Sequence, residues 1–472
     1  MIRAFRRLPS ILLLLLAGCS VSAPVRPDQL SFAPLKFEVP RIEAVTLANG
    51  IRLYLHEDHE LPLVEISVTA GSGGIADPPE QTGLTDLLAA LLRTGGAGDF
   101  APEAFDRELE RLAADFTVAA DTYTTQMALS LRRDDLRAGL EMLHDVLYRP
   151  RFDAGRLELA RRQAIELVRR QDDDPGALAS RELMRALYGE HPLGRSPSVT
   201  GLESIRRDDL VARHCRDLAE APLWIGISGD FDRAEVTRLM TEIFADRTGG
   251  QGRKAPVPPL VSAEAPALWL AEKEIPQSTI LFGEVAIDKD NPDLPAVRVM
   301  NFILGGGGFN SRLMREVRSN RGLAYSVYSY YDIGRRLPGP FVAGCETKNG
   351  AAVEVVALMR DIMNDLRENP VTMEELRLAQ ESLINSFVFA FSDSRQVVNQ
   401  QMRLDYYDYA PDYLQTYRDK IAAVTVADVQ RVARAYLNPD RQQLVLVGNP
   451  AEFDAAPETL GLPVEKLERK NP

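Results

Sequence analysis

The chain has 472 residues, 45% of them hydrophobic and 26% charged, with a formal net charge of −13. That length exceeds a single core and predicts about three bodies of ~150 residues each. The acidic balance, with no long Lys/Arg run, excludes nucleic acid as the main partner, because attraction to phosphate needs a basic face.

In chain order, residues 1–18 read as a signal peptide. Arg3, Arg6 and Arg7 precede an apolar run, Ile11–Leu16, that is far shorter than the ~20 residues a membrane-spanning helix needs. Leu16-Ala17-Gly18-Cys19 resembles a bacterial lipobox, which implies cleavage before Cys19 and acylation of its thiol. An ordinary signal peptide with an incidental cysteine is the other reading. Ser20 after the cysteine favours the outer membrane of a double-membraned cell, so the expected location is the cell envelope, as a periplasm-facing lipoprotein touching the membrane through its anchor. Residues 19–40, with Pro24, Pro27, Pro34 and Pro40, read as a tether. Only Cys215 and Cys345 remain beyond it, without metal-type spacing. They are expected as buried small apolar residues, with an interdomain disulfide left open by an oxidising compartment.

Beyond the tether one pattern of roughly 200 residues is written twice. In the first copy, strands are predicted at Ile51–Leu55 and Leu63–Thr69 around the turn Asp58–Pro62. Helices follow at 84–92 and 101–114, strands at 116–120 and 126–131, and long helices at 134–148, 154–170, 176–187 and 204–218. The second copy repeats the order: a strand at 279–285, helices at 294–304 and 313–320, strands at 324–331 and 341–346, and helices at 351–368, 373–390 and 395–404. Each copy closes on a capped helix, a Pro turn and a buried strand ending in Gly. These are SIRRDDLVARHCRDLAEAPLWIGISGDFD in the first and AVTVADVQRVARAYLNPDRQQLVLVGNPAEFD in the second. The predicted fold is therefore α+β, with two internally duplicated domains, 41–247 and 267–472. Each is an antiparallel or mixed sheet with helices on one face. The Gly/Pro-rich stretch 248–266 between them reads as a linker and as the place for any hinge.

One stretch organises the second copy: LGGGGFNSRLMREVRSNRGLAYSVYSYY, Leu304–Tyr331. Gly305, Gly306, Gly307 and Gly308 remove every side chain from a piece of backbone, so a peptide can approach it, with Phe309 beside them. Gly322 ends the next helix and lets the chain turn back, so that Arg318 on the helix and Tyr325 on the strand converge. On that strand, Tyr325 and Val327 are expected on one face and Tyr328 and Tyr330 on the other. At a sheet edge the strand would accept an extended peptide by strand addition.

These motifs and the doubled α+β order closely resemble the pitrilysin/insulinase-like metallopeptidases, particularly bacterial relatives of the mitochondrial processing peptidase. The resemblance covers nearly the whole mature chain. In that family the active N-terminal copy carries H-x-x-E-H on a helix, two imidazoles binding zinc and the glutamate serving as general base. Here the matching segment is Thr82-Gly83-Leu84-Thr85-Asp86-Leu87-Leu88-Ala89-Ala90-Leu91. Asp86 and Ala90 stand where the histidines belong and Ala89 where the base belongs. Glu166 falls near the family's distant carboxylate ligand, or is simply a solvated helix residue. His56, His59, His144, His191 and His214 supply no replacement pair. The resemblance further implies that Arg318 and Tyr325 bind the substrate backbone and stabilise the developing oxyanion.

The expected function is thus a subunit of a heterodimeric envelope metallopeptidase that binds no cofactor itself. It would seat unfolded or extended peptides against Gly305–Gly308 and Phe309, and supply Arg318 and Tyr325 to the zinc of a homologous H-x-x-E-H subunit. Two alternatives stand beside it: a metallopeptidase active alone through an unrecognised metal site, and a non-enzymatic envelope scaffold.

Overall fold

In each half, strands gather into a mixed six-stranded sheet whose order is the same but for the outermost strand. The structure is a computed structural model that describes residues 37–467 except 72, 220, 248–253, 255 and 261–264. The signal segment, Cys19, the tether as far as residue 36 and most of the 248–266 stretch lie outside the described residues. The chain divides after Glu38, and both sheets belong to the unit that starts at Val39.

The first half runs β1 (Ala44–Thr46), β2 (Arg52–Glu57), β3 (Leu63–Ala70), α1 (Leu84–Thr94) and α2 (Pro102–Arg111). It continues through β4 (Asp115–Ala120), β5 (Thr125–Arg132), α3 (Leu136–Tyr148), α4 (Ala154–Arg169) and α5 (Pro175–Tyr188). It closes with α6 (Val199–Ser204), α7 (Arg207–His214), β6 (Leu223–Gly229) and α8 (Arg233–Ile243). The second half runs β7 (Leu268–Glu272), β8 (Gln277–Val285), α9 (Leu294–Asn301), β9 (Ala324–Tyr331) and β10 (Pro340–Lys348). Then come α10 (Ala352–Glu368), α11 (Met373–Ser386), α12 (Ser394–Tyr406), α13 (Tyr413–Ala422), α14 (Val426–Tyr436), β11 (Gln443–Gly448) and β12 (Val464–Lys466).

The strand orders are β1-β2-β6-β3-β5-β4 and β12-β7-β11-β8-β10-β9. Matching positions carry matching directions, with β2 parallel to β6 and β7 parallel to β11. Only the outermost strand differs, since β1 precedes its neighbour and pairs antiparallel while β12 arrives from the C-terminus and pairs parallel. Glycines recur too: Gly95-Gly96-Ala97-Gly98 follows α1 as Gly305–Gly308 follows α9. The duplicated α+β architecture expected from the sequence is the observed one.

The main helices of each half cover one face of its own sheet. The other face is covered by a helix from the opposite half. Val397, Val398, Met402 and Tyr406 of α12 pack on Tyr54 and Trp224 of the first sheet. Leu178, Leu183 and Leu187 of α5 pack on Leu281, Val342, Val445 and Val447 of the second. Small residues make room. A Cβ at Gly226 would lie 2.2 Å from Val398 Cγ1, and one at Gly283 would lie 2.9 Å from Leu183 Cδ1. This exchange explains why β6 and β11 are almost wholly buried and read as continuous apolar runs. It also pins the halves together at two docked helices, so a hinge confined to 248–266 would not free them.

Cys215 and Cys345 are both free, so the disulfide left open above does not form. Cys345 is buried as expected, and burial pushes its thiol up to about 12. Cys215 is exposed instead. It opens a wide π-type turn, Cys215–Ala219, that carries it outward and turns Leu218 in. Among the described residues no helix is long and apolar enough to cross a membrane.

Candidate functional site

The helix in the metal-bearing position is held from a distance. α1 starts at Gly83, in the left-handed region at φ +98°, and has no side-chain cap of its own. Asp77 serves instead. Its carboxylate accepts from the Gly83 amide at 3.1 Å, the Thr85 amide at 3.2 Å and the Thr85 hydroxyl. Arg213 of α7, 1% exposed, lies 3.5 Å from the same carboxylate. It donates to the carbonyls of Ala76 at 2.7 Å and Gly73 at 2.9 Å, and to Thr85 Oγ1 at 3.0 Å. Burial raises the pKa of Asp77 and lowers that of Arg213, while their mutual attraction opposes both shifts. Sequence reading passed over this trio. Thr85, polar between Leu84 and Leu87, was the only local sign of it.

Along α1, Asp86 is open to solvent, Ala89 is buried and Ala90 is half-buried. Protein crowding around the Asp86 carboxylate raises its pKa, and the neighbouring Asp77 charge adds to the effect. Glu166 sits on α4, which packs on α1, and is exposed.

In the second half the chain does bring Arg318 and Tyr325 together. Gly322 adopts φ +65°, its amide donates to the Arg318 carbonyl at 2.9 Å, and the Leu323 amide donates to the Val317 carbonyl at 2.9 Å. That closure reverses the chain. The Arg318 guanidinium then lies 4.7 Å over the Phe309 ring and 4.4 Å over the Tyr325 ring, and donates to the Tyr325 carbonyl at 2.5 Å. Both rings face water, Tyr325 at 81% exposure and Phe309 at 68%. The segments 302–306 and 314–320 are wide π-type turns, a form that recurs at functional sites.

Three expectations for this stretch need correction. Tyr325 and Val327 do not share a face. Ala324 pairs with Thr347 and Val327 with Cys345, so β9 spends three steps where β10 spends two. This bulge turns Tyr325 and Ser326 outward while Val327 stays buried. Second, the glycine tract is not wholly free for a ligand. A Cβ on Gly305 would lie 2.4 Å from the Ser329 amide nitrogen, so this glycine serves the approach of the chain's own β9. Gly306 and Gly308 are exposed and Gly307 half-buried. Third, β9 is an edge strand, but its outward backbone is occupied. Arg318 takes the Tyr325 carbonyl, Met314 sulfur accepts the Val327 amide at 3.3 Å, and Asn301 donates to the Ser329 carbonyl at 3.2 Å. Strand addition along 325–329 would have to displace all three.

Arg312, six residues before Arg318, is buried rather than a surface charge. It forms a two-pronged pair with Glu375 at 2.8 and 2.9 Å and a third bond to Asp365 at 2.8 Å. Burial pushes Glu375 up, but Arg312 outweighs it and brings the carboxyl down to about 2. The partners lie on α10 and α11, which local periodicity around Arg312 could not disclose.

Comparison with known proteins places this arrangement. Residues 52–201 match the family described as insulinase (peptidase family M16), and residues 224–383 match the peptidase M16 inactive domain. The chain belongs to the peptidase M16 family. This M16 chain is 28% identical over 432 residues to an uncharacterized zinc protease of Mycobacterium leprae, covering 89% of this chain and 94% of that one. It is 25% identical over 397 residues to a non-peptidase homolog of Helicobacter pylori, covering 83% and 90%. Among solved structures, a peptidase M16 inactive domain from Pseudomonas fluorescens matches at 27% identity and TM-score 0.78, covering 87% of this chain and 98% of that one. The periplasmic protease PqqL of Escherichia coli shares the fold at 16% identity and TM-score 0.73, covering 93% of this chain but 50% of PqqL.

The residues present on this M16 fold do not fit a zinc ion. Asp86 and Glu166 offer two carboxylates without an imidazole, and Ala89 provides no base. Among the described residues no three His, Cys, Asp or Glu side chains gather where they could hold a metal.

Proposed function

We propose that this M16 chain is the zinc-free member of a paired envelope peptidase. It binds extended peptides and presents Arg318 and Tyr325 to a substrate held at the zinc of a homologous H-x-x-E-H subunit. One observation carries the reading. The helix in the metal-bearing position is firmly held by Asp77, Thr85 and Arg213 yet carries no metal-binding chemistry, while Arg318 is poised between two exposed rings. Beyond its bond to the Tyr325 carbonyl, the Arg318 fork retains N–H groups for a peptide carbonyl, and a fixed cation beside a developing oxyanion lowers the barrier. The match to half of PqqL supports pairing, because that chain is long enough for two units of this kind. The lipobox-like Leu16-Ala17-Gly18-Cys19 supports a lipid-anchored, periplasm-facing location.

The reading is tested by purifying the mature chain alone and together with an H-x-x-E-H subunit encoded beside it, then measuring zinc and cleavage of a quenched-fluorescent peptide. The lone chain is expected to carry no zinc and cleave nothing, and the pair to carry zinc and cleave the peptide. Zinc-dependent cleavage by the lone chain would sink the proposal. Stable pairing without cleavage would favour the scaffold alternative.

A further inference from the structure

Five tyrosines crowd the stretch 406–417: Tyr406, Tyr407, Tyr409, Tyr413 and Tyr417. Three arginines from separate elements meet them. Arg298 of α9 donates to the Tyr413 hydroxyl at 3.0 Å, and its guanidinium lies 5.2 Å over the Tyr417 ring. Tyr413 stands edge-on to Tyr409 at 4.8 Å. Arg335, in the loop between β9 and β10, lies 5.1 Å over Tyr407 and 3.5 Å from Asp121. Arg403 of α12 donates to Gln400, and crowding by the surrounding protein, then Arg335 and Arg298, disfavours its charged form.

Among the described residues neither Arg298 nor Arg403 has a carboxylate in ion-pair range, although the whole chain carries 68 acidic residues. Of the nearby acids, Asp121 pairs with Arg335 and the others are committed elsewhere. Asp408 pairs with Lys254 at 2.8 Å, and Asp405 accepts from Tyr54 at 2.7 Å and Gln401 at 2.9 Å. Asp121 is bound by the amides of Tyr123 and Thr124, each at 2.7 Å. Two of the arginines are half-buried and Arg403 is exposed, so the cluster is open to solvent. Arg335 and Arg298 both repel the Arg403 charge, an added carboxylate would relieve that repulsion, and the planar guanidinium N–H groups suit one.

We infer that Arg298, Arg335 and Arg403, walled by Tyr409, Tyr413 and Tyr417, form an anion subsite that takes a peptide carboxylate. This deepens the proposed function, because it rests on the reading that the chain binds peptides and assigns them an acidic group. The carboxylate has two sources, an Asp or Glu side chain or the chain's own C-terminus. Its planar fork-to-fork bonding to guanidinium is the same in both.

The test is fluorescence anisotropy on the mature chain with three labelled peptides of one length. The first holds internal glutamates and an amidated end, the second no acid but a free C-terminus, and the third neither. At least one carboxylate peptide should bind about tenfold or more tightly than the third, and the arm that gains identifies the source. Arg298→Gln/Arg403→Gln should abolish that advantage, while Arg377→Gln, on an exposed helix pair elsewhere, should keep it. On the unaltered chain the advantage should shrink as salt rises, which keeps the test independent of whether the double variant folds. Equal binding of all three peptides, or an advantage retained by the double variant, overturns the subsite and leaves peptide binding standing. No binding by any peptide overturns both.

Discussion

At the residue scale, the Gly-rich segment depends on a side chain that comes from well outside it. Glu375 caps α11 together with Thr372 and holds Arg312, and so fixes where the 314–320 turn and Arg318 begin. Its carboxyl sits near 2 when folded against an ordinary 4.5, so the stabilisation it brings is present above about pH 4.5 and lost as pH falls toward 2. Glu375→Gln is expected to cost about 2–3 kcal/mol at pH 7 and to flatten the acid limb of stability, as read by urea unfolding across pH. An unchanged acid limb would show that the pair does not govern it. The residue-level reading of the sequence was uneven for a physical reason. The contact of Arg318 with Tyr325 was legible because seven residues and one glycine span it. The burial of Arg312 and the Asp77–Thr85–Arg213 trio were not, because their partners are set by how distant helices pack.

At the element scale, most strands and helices were readable from period and punctuation, while β1, β7, β12, α6, α8 and α13 went unpredicted and two further misses fall where period fails. The bulge in β9 broke the alternation that had placed Tyr325 beside Val327. The helix predicted over 204–218 is α7 followed by a π-type turn, which is what exposes Cys215. The glycines that let helices dock carried no signal at all. Gly226→Ala would set a methyl 2.2 Å from Val398 Cγ1 and 2.5 Å from Met402 Sδ. It is expected to cost about 1–3 kcal/mol through overpacking. Gly350→Ala, whose Cβ meets nothing nearer than 3.6 Å, should stay within about 0.5 kcal/mol. Thermal melts of the two variants compare them directly, and equal melting temperatures would mean that α12 does not sit tightly on the first sheet.

At the scale of the whole molecule, duplication was legible because both halves close on the same helix–turn–strand. The exchange of α5 and α12 was not, since each reads as an ordinary amphipathic helix and nothing local names the sheet it covers. Because each half shields the other's sheet, calorimetry should record one cooperative transition, and residues 41–247 or 267–472 expressed alone should expose apolar surface and bind a hydrophobic dye. Two well-separated transitions would contradict the exchange. It also means that this chain would enter any larger assembly as one body, with Arg318 set between the exposed rings of Phe309 and Tyr325. The most direct test is the peptide-cleavage rate of the reconstituted pair when this chain alone carries Arg318→Ala. A drop of about 10²–10³-fold with the pair still assembled and zinc still bound is the predicted result; an unchanged rate would contradict the account.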